Sequence, residues 1–401
     1  MLIVQKFGGS SVADTAKVQR VAGIITDTYC DDNDVVVVIS AQGNTTDELL
    51  AKAKEINPKP SRRELDMLLT TGEQMAVAKV AMALERMGIP AVSLTGWQIG
   101  LETTSEYGNA RIKRVSTERI RQELDKRRIV LIAGFQGVNK FGDITSLGRG
   151  GSSTTAVALA ARLEADKCQI YTEHEGVFTA ERSIVPDAKK LNEITYDEML
   201  ELGSLGSGVL RNRAVEMAKR YNVVLEVLST TVRKPGTTIK EVVKQVEQMK
   251  ISGIVKDDNV ASVAVVGLPD EPGIAFKVFR LMSKAKINID IILQSHGKNN
   301  TNDIIFTVEK GNVEAVKGIL EEYQPSLGFE SLEIEENIAK ISVVGAGMIS
   351  SHGIASLVFE ALYDAKINIK MISTSEIKVS VIIDANYAEH AMQAIHTKFF
   401  N

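Results

Sequence analysis

The sequence predicts an α/β protein in which a mostly parallel sheet, covered on both faces, precedes a pair of smaller repeated units. Three observations carry this. Short continuous apolar runs alternate with helical patterns through roughly the first 230 residues. Two glycine-rich turns, KFGGSSV and GRGGSST, lead into helical patterns. The last 150 residues or so contain one pattern twice, offset by 80 positions.

The apolar runs are LIVQ (2–5), VVVVIS (35–40), AVSLTG (91–96), IVLIAGF (129–135), CQIY (168–171) and VVLEVL (223–228). Runs of this kind, set between helices, are strands buried on both faces of a parallel sheet. Segments between them, such as LDMLLTTGEQMAVAKVAMALERMG, place apolar residues at helical spacing. Such a sheet binds ligands at the carboxyl ends of its strands, where strands give way to helices.

The repeat pairs residues 265–295 with 343–375. Gly273-Ile274 matches Gly353-Ile354, Val278-Phe279 matches Val358-Phe359, and the AKINI of 285–289 recurs at 365–369. Each copy reads strand, glycine turn, helix, then a strand in which polar residues alternate with isoleucine. Ile274, Val278, Leu281, Met282 and Ala285 form a core-facing helical stripe. Between the halves, VRKPGTTIKEVVKQVEQMK (232–250) opens on a Pro-Gly turn and becomes charged. The domain boundary is expected near 245, giving units 1–245, 251–330 and 335–401.

The 401 residues are too many for one core. An apolar share of 44% and a charged share of 24% suit a globular chain. A net charge of −4 gives no reason to expect nucleic acid or an anionic membrane as partner. No apolar run approaches twenty residues, and the start, MLIVQKFGG, does not read as a signal peptide, so a cytoplasmic location is expected. Two cysteines and five scattered histidines have no metal-site spacing, and no protein-held metal is expected.

Glycines let a backbone approach a ligand closely, and free N–H groups at a helix start favour phosphate. Lys6 adds a point charge beside the first turn, and Arg149 beside the second. Two strand–glycine–helix turns in one sheet point to an anion held between them.

These turns, with SAQGNTTDELL, MLLTTGEQ, GNARI, AGFQGV and SLGRGG, and with the paired C-terminal units, resemble the aspartate kinase family over essentially the whole chain. The resemblance implies an amino-acid-kinase (carbamate-kinase-like) three-layer domain joined to two ferredoxin-like βαββαβ ACT domains. It implies ATP, Mg²⁺ and L-aspartate as reactants, 4-phospho-L-aspartate as product, and the first step of lysine, threonine and methionine biosynthesis. It further implies control by lysine and/or threonine, and a homo-oligomer formed through the ACT domains.

Carried over by residue, Lys6, Phe7, Gly8, Gly9, Ser40 and Ala41 match the nucleotide phosphate site, and Thr172, Glu173 and Arg182 match nucleotide contacts. Thr46, Glu73, Arg149, Gly150, Gly151 and Ser152 match the substrate site, with Lys6 and Ser153 the positions expected to bear on catalysis. Asp270, Gly273, Ile274, Ala275, Asn288, Ile289, Asp290 and Gln294 match effector positions in the first regulatory unit. Ile354, Ala355, Asn368, Ile369, Ser375 and Glu376 match them in the second. The family's first C-terminal strand, here ISGIV, can belong to the second ACT unit.

The chain departs from the family pattern at several points. Ser153 stands where the family's GRGGSDTTA has aspartate, Glu173 and Glu175 replace aspartates, and Glu181-Arg182-Ser183 replaces Asp-Pro-Arg. The attacking carboxylate is already ionised at neutral pH, so no general base is lost with that aspartate. A neutral hydrogen bond in place of a charged one costs about 1.5–3 kcal/mol, so a weakened kinase is expected. A catalytically impaired, amino-acid-sensing homologue is the alternative on the same scaffold. A kinase acting on glutamate or acetylglutamate is a further alternative, opposed by the ACT-like units and by TTDELL and TTGEQ.

Overall fold

The computed structural model describes residues 1–204, 210–242, 251–296, 300–348 and 353–400. The boundary expected near 245 lies outside the described residues, as do residues 349–352 of the second repeat's glycine turn. The chain groups into two compact units, Met1–Thr179 with Lys189–Val246, and Ala180–Ala188 with Glu247–Asn401.

In chain order the N-terminal unit carries strands β1 (Leu2–Phe7), β2 (Asp34–Ile39), β3 (Ala91–Leu94), β4 (Leu101–Thr103), β5 (Ile112–Val115) and β6 (Ile129–Ala133). There follow β7 (Gln136–Val138), β8 (Ile144–Ser146), β9 (Lys167–Thr172), β10 (Glu193–Thr195), β11 (Leu225–Ser229) and β12 (Thr237–Lys240). Eight of them form one sheet in the order β10-β12-β11-β9-β1-β2-β6-β3. Every pairing from β11 to β3 is parallel, and β12 runs antiparallel to β11. The six apolar runs are six of these strands. Successive residues Val35 to Ile39 are all buried, as a strand covered on both faces requires.

Helices Thr15–Cys30 and Thr71–Arg86 cover one face. Asp14 caps the first, its side chain accepting the Lys17 N–H at 2.8 Å. That helix turns Val18, Val21, Ala22 and Ile25 into a core with Val35, Val37 and Ile39. On the other face the alanine-rich helix Gly151–Leu163 packs over β1, β2 and β9, buried along almost its whole length. Small side chains let it lie close to the strands.

A second, four-stranded sheet, β5-β4-β7-β8, has no counterpart in the sequence reading. Its strands have three or four residues, too few for a period to register. Buried Asp66 ties it to helix Arg62–Leu69, accepting bonds from Gly108 N (2.9 Å), Ser146 N (2.8 Å) and Ser146 Oγ (2.6 Å).

The C-terminal unit carries β13 (Gly253–Asp257), β14 (Ala261–Pro269), β15 (Ile292–His296), β16 (Thr301–Val308), β17 (Ser331–Glu335), β18 (Ile338–Val344), β19 (Met371–Thr374) and β20 (Lys378–Asp384). They form two antiparallel four-stranded sheets, β15-β16-β14-β17 and β13-β18-β20-β19. Two helices accompany each, Ile274–Lys284 and Val313–Leu327 with the first, Ile354–Asp364 and Ala388–Phe400 with the second. β13, which contains the end of ISGIV, pairs with β18 and so belongs to the second sheet despite preceding the first. A shared cluster of Val260, Ile291, Ile338, Met371 and Ile382 joins the two sheets. Segment Ala180–Ala188 docks here too, Gln393 Nε2 donating to the Ile184 carbonyl at 2.9 Å.

Candidate active site

β1 lies in the middle of the parallel sheet, between β9 and β2, which belong to different windings of the chain. The turns leaving β1, β2 and β6 meet at their carboxyl ends. Ser40 N donates to Phe7 O (3.1 Å), Gly134 N to Ile39 O (3.0 Å) and Gly43 N to Gly9 O (3.0 Å). A Cβ on Gly9 would collide with the Ala41 carbonyl, so these two turns touch backbone to backbone. A Cβ on Gly134 would sit 2.6 Å from Ser152 Oγ, which brings the turn after β6 onto the second glycine turn. Gly150 occupies the left-handed region at φ 79° and immediately precedes helix Gly151–Leu163, whose first turn has no side-chain cap.

Lys6 retains partial exposure, yet the protein packed around its ammonium pulls its pKa down to about 8 by desolvation, against a smaller opposing effect of Cys168. It makes no hydrogen bond or ion pair among the described residues. Burial pushes Cys168 up to about 12, so its thiol stays neutral. Glu73 is 4% exposed at the start of helix Thr71–Arg86. Its Oε1 accepts the Ala41 N–H at 3.2 Å, while Oε2 is buried without a partner. Desolvation pushes its pKa up to about 7. Ser11 Oγ, inside the first glycine turn, is likewise buried and unpartnered. Partnerless polar groups around one set of glycine turns are what a polar ligand would satisfy.

The other expected residues divide. Ser152 and Ser153 are buried in the first turn of helix Gly151–Leu163, and Thr46 is half-buried in the first turn of helix Thr45–Ile56. Arg149 is exposed and unpaired among the described residues, free to reach a ligand. Phe7 stacks on Tyr171 in the core at 4.6 Å, so only its backbone belongs to the turn. Thr172 ends β9 and its hydroxyl is engaged with the His174 backbone. Glu173, half-exposed, pairs with Lys17 at 3.3 Å. Arg182 falls in the segment that packs with the C-terminal unit, so the N-terminal unit by itself does not assemble it with the turns.

Sequence reasoning missed three residues here. Ser11 lies within the quoted KFGGSSV, yet nothing in the sequence marks its hydroxyl as buried. Gln42 donates to Val12 O at 2.6 Å, linking the turns after β1 and β2. Arg213 donates to Leu147 O (2.8 Å) and Ala110 O (2.7 Å), fastening the strand end that leads into Arg149. Its pKa is lowered, by burial first and then by the neighbouring Arg111 charge. Arg213 and the loop it holds are 66 residues apart in the chain, beyond the reach of any local pattern.

In the C-terminal unit the two repeats share the backbone conformation that flanks each helix. Gly273 and Gly353 precede their helices at φ 92° and 90°, and Lys286 and Lys366 follow them at φ 59° and 61°. Ile274 and Ile354 point into the cores, whereas Ala275 and Ala355 are half-buried. Asn288 and Ile289 line a cleft of about 420 Å³ with Phe279 and Lys286. Asp270 accepts the Asn302 amide at 2.6 Å. Asp290 is held by Lys340, whose side chain is only 7% exposed and also lies 3.3 Å from Asp257. Gln294, Asn368, Ser375 and Glu376 are exposed and Ile369 is half-buried.

The amino acid kinase family profile matches residues 1–229, and ACT-domain profiles match 262–324 and 341–399. The chain is 46% identical over 398 residues to an aspartokinase of Bacillus sp. (strain MGA3), covering 99% of this chain and 97% of that one. It is 47% identical over 403 residues to that of Mycolicibacterium smegmatis, covering 99% and 96%. Among solved structures, aspartate kinase from Synechocystis aligns with TM-score 0.56 and 43% identity over all of this chain and 69% of that one. E. coli aspartokinase III in complex with aspartate and ADP shares the fold, with TM-score 0.83 and 23% identity over the full length of both. The mixed sheet, the glycine turns and the paired regulatory sheets agree with these matches, and the chain belongs to the aspartokinase family.

Proposed function

We propose that the N-terminal unit transfers the γ-phosphoryl group of ATP to the β-carboxylate of L-aspartate, giving 4-phospho-L-aspartate and ADP. A carboxylate oxygen attacks the γ-phosphorus while the bond to the β–γ bridging oxygen breaks, and ADP leaves with that bond's electron pair. The observation that carries this is a pair of unsatisfied opposite charges at interlocked glycine turns: Lys6, unpaired beside Gly8, and Glu73 Oε2, unpartnered above Ala41. Lys6 suits a phosphate, and the Glu73 carboxylate suits the ammonium of an amino acid. Arg149 supplies a planar fork for a substrate carboxylate, and Ser152 and Ser153 supply hydroxyls at a helix start.

The aspartate nucleophile needs no proton removed at neutral pH. Catalysis therefore rests on placing two anions together and neutralising their charge. Among the described residues no cluster of three or more acidic, histidine or cysteine side chains could cage a metal ion. The donor set fits a Mg²⁺ ion carried on the nucleotide phosphates, where it would neutralise charge while Lys6, Ser11 and the turn amides hold the phosphate oxygens.

The C-terminal unit is read as the sensor, with lysine and/or threonine as effector and ACT sheets as the contact between copies, acting in the cytoplasm. Its support is the glycine-to-helix opening at Gly273, where helix Ile274–Lys284 begins without a side-chain cap beside Asp270, a place suited to an amino-acid carboxylate. The test is ADP release with ATP, Mg²⁺ and a panel of aspartate, glutamate and acetylglutamate, with melting temperature followed against each candidate effector. Turnover on aspartate alone is expected; no turnover on any acid, or turnover on another acid, would overturn the assignment.

A further inference from the structure

We infer a second ligand site on the N-terminal unit, a cleft that takes a small amphiphilic anion and passes its occupancy to the first glycine turn. The binding part stands on geometry alone; the passage to activity rests on the kinase function proposed above.

The cleft holds about 770 Å³ between helices Thr15–Cys30 and Thr71–Arg86, a size suited to a drug-sized molecule. Its accessible apolar surface comes mainly from Met82 and Met87, over a floor set by the core residues Val18 and Ala22. Both methionines are exposed, at 57% and 48%. Thioether side chains of this kind adapt to aliphatic or aromatic bodies.

Two cations border that surface, Lys79 and Arg86. Seven residues apart on one helix, they share a face and stand about 10 Å apart along its axis. Arg86 makes no hydrogen bond or ion pair among the described residues. The one carboxylate in the lining, Asp14, is already accepting the Lys17 N–H as a helix cap. Charge and shape together select an anion with an apolar body about 10 Å long, such as a carboxylate or sulfonate.

Gln42 makes the cleft more than a binding site. Its side-chain oxygen accepts from Lys79, and its amide donates to Val12 O at 2.6 Å. The next residue, Gly43, makes the bond that holds Gly9. An anion that takes Lys79 from Gln42 loosens the join between the two phosphate-facing turns, and ATP binding changes.

The full-length protein is titrated with 8-anilinonaphthalene-1-sulfonate, followed by fluorescence, and the probe is displaced with octanoate. One saturable site is expected, weakened about tenfold in Arg86→Gln and lost in Ala83→Trp, which fills the cleft; both variants keep the wild-type melting temperature and kcat. Octanoate is expected to shift the KM for ATP at least threefold in the wild type and not in Gln42→Ala. Probe affinity unchanged in both cleft variants would overturn the site. A cleft-dependent probe with no octanoate effect on the wild-type KM would overturn the coupling. An absence of aspartate-dependent turnover would sink the kinase function while leaving the fluorescence result to decide the site.

Discussion

Glycine turns open helices in both units, for opposite physical reasons. At Gly9 the requirement is space, because the Ala41 carbonyl occupies the place a Cβ would take. At Gly273 and Gly353 nothing lies within 4 Å of an added Cβ, and the requirement is the backbone angle, φ 92° and 90°. The N-terminal turn is thus defined by what another strand brings against it, and the repeat turns are defined by their own chain. The proposed reactant site is built by close approach, whereas the duplicated C-terminal units are built by copying a local conformation.

The strongest way to break this contrast is Gly9→Ala. The added methyl must push the turns after β1 and β2 apart, so activity is expected to fall at least about a hundredfold. Aspartate-dependent ADP release at saturating ATP measures it, and near-normal turnover would mean the turns need not touch.

Glu73→Gln is next, with kcat/KM for aspartate expected to fall about ten- to a hundredfold. The pH profile sharpens the result. With Glu73 near 7 and Lys6 near 8, wild-type kcat/KM rises as Glu73 ionises and falls as Lys6 loses its proton. The variant loses the acidic limb. Stability carries the matching sign: the folded carboxyl binds a proton that the unfolded one, near 4.3, has released. Wild-type stability therefore declines as pH rises from about 4 to about 7, and Glu73→Gln removes that decline, readable by denaturant titration.

Within the C-terminal unit, the 80-residue offset also aligns Asp290 with Lys370, opposite charges at equivalent places. Each crosses to the other sheet, Asp290 to Lys340 and Lys370 to Glu335. Lys340 is buried and the Lys370 pair is exposed, so Lys340→Met is expected to cost about 2–3 kcal/mol and Lys370→Met less than about 1 kcal/mol. Chemical unfolding of both variants checks the ranking. Gly273→Ala and Gly353→Ala are expected to cost about 1 kcal/mol each, nearly equally, with turnover unchanged in the absence of effector. A large or unequal loss would mean that one repeat turn has acquired tertiary neighbours.

The parts of the fold legible in the sequence were those with a period or a copy. Six strands announced themselves as apolar runs, and the repeated glycine and AKINI segments announced two like units. The small sheet β5-β4-β7-β8 did not, because three-residue strands carry no rhythm and their order depends on Asp66 reaching 80 residues to Ser146. The candidate site was legible where glycine, lysine and arginine cluster, at KFGG and GRGG. Ser11, Gln42 and Arg213 stayed hidden because a hydroxyl, an amide and a guanidinium look alike in sequence whether solvated or buried. Glu173 shows the same blindness from the other side: its charge was visible, its pairing with Lys17 was not.

By itself, then, the amino-acid order determined the strands that read as apolar runs and the glycine turns that open the repeated helices, since both depend on neighbours a few residues away. Only the tertiary structure decided which turns touch, which charges are left unpaired and that β13 joins the later of the two C-terminal sheets. Those outcomes depend on desolvation and close packing between segments far apart in the chain, and burial alone moves Lys6 and Glu73 into the range where they titrate near neutrality.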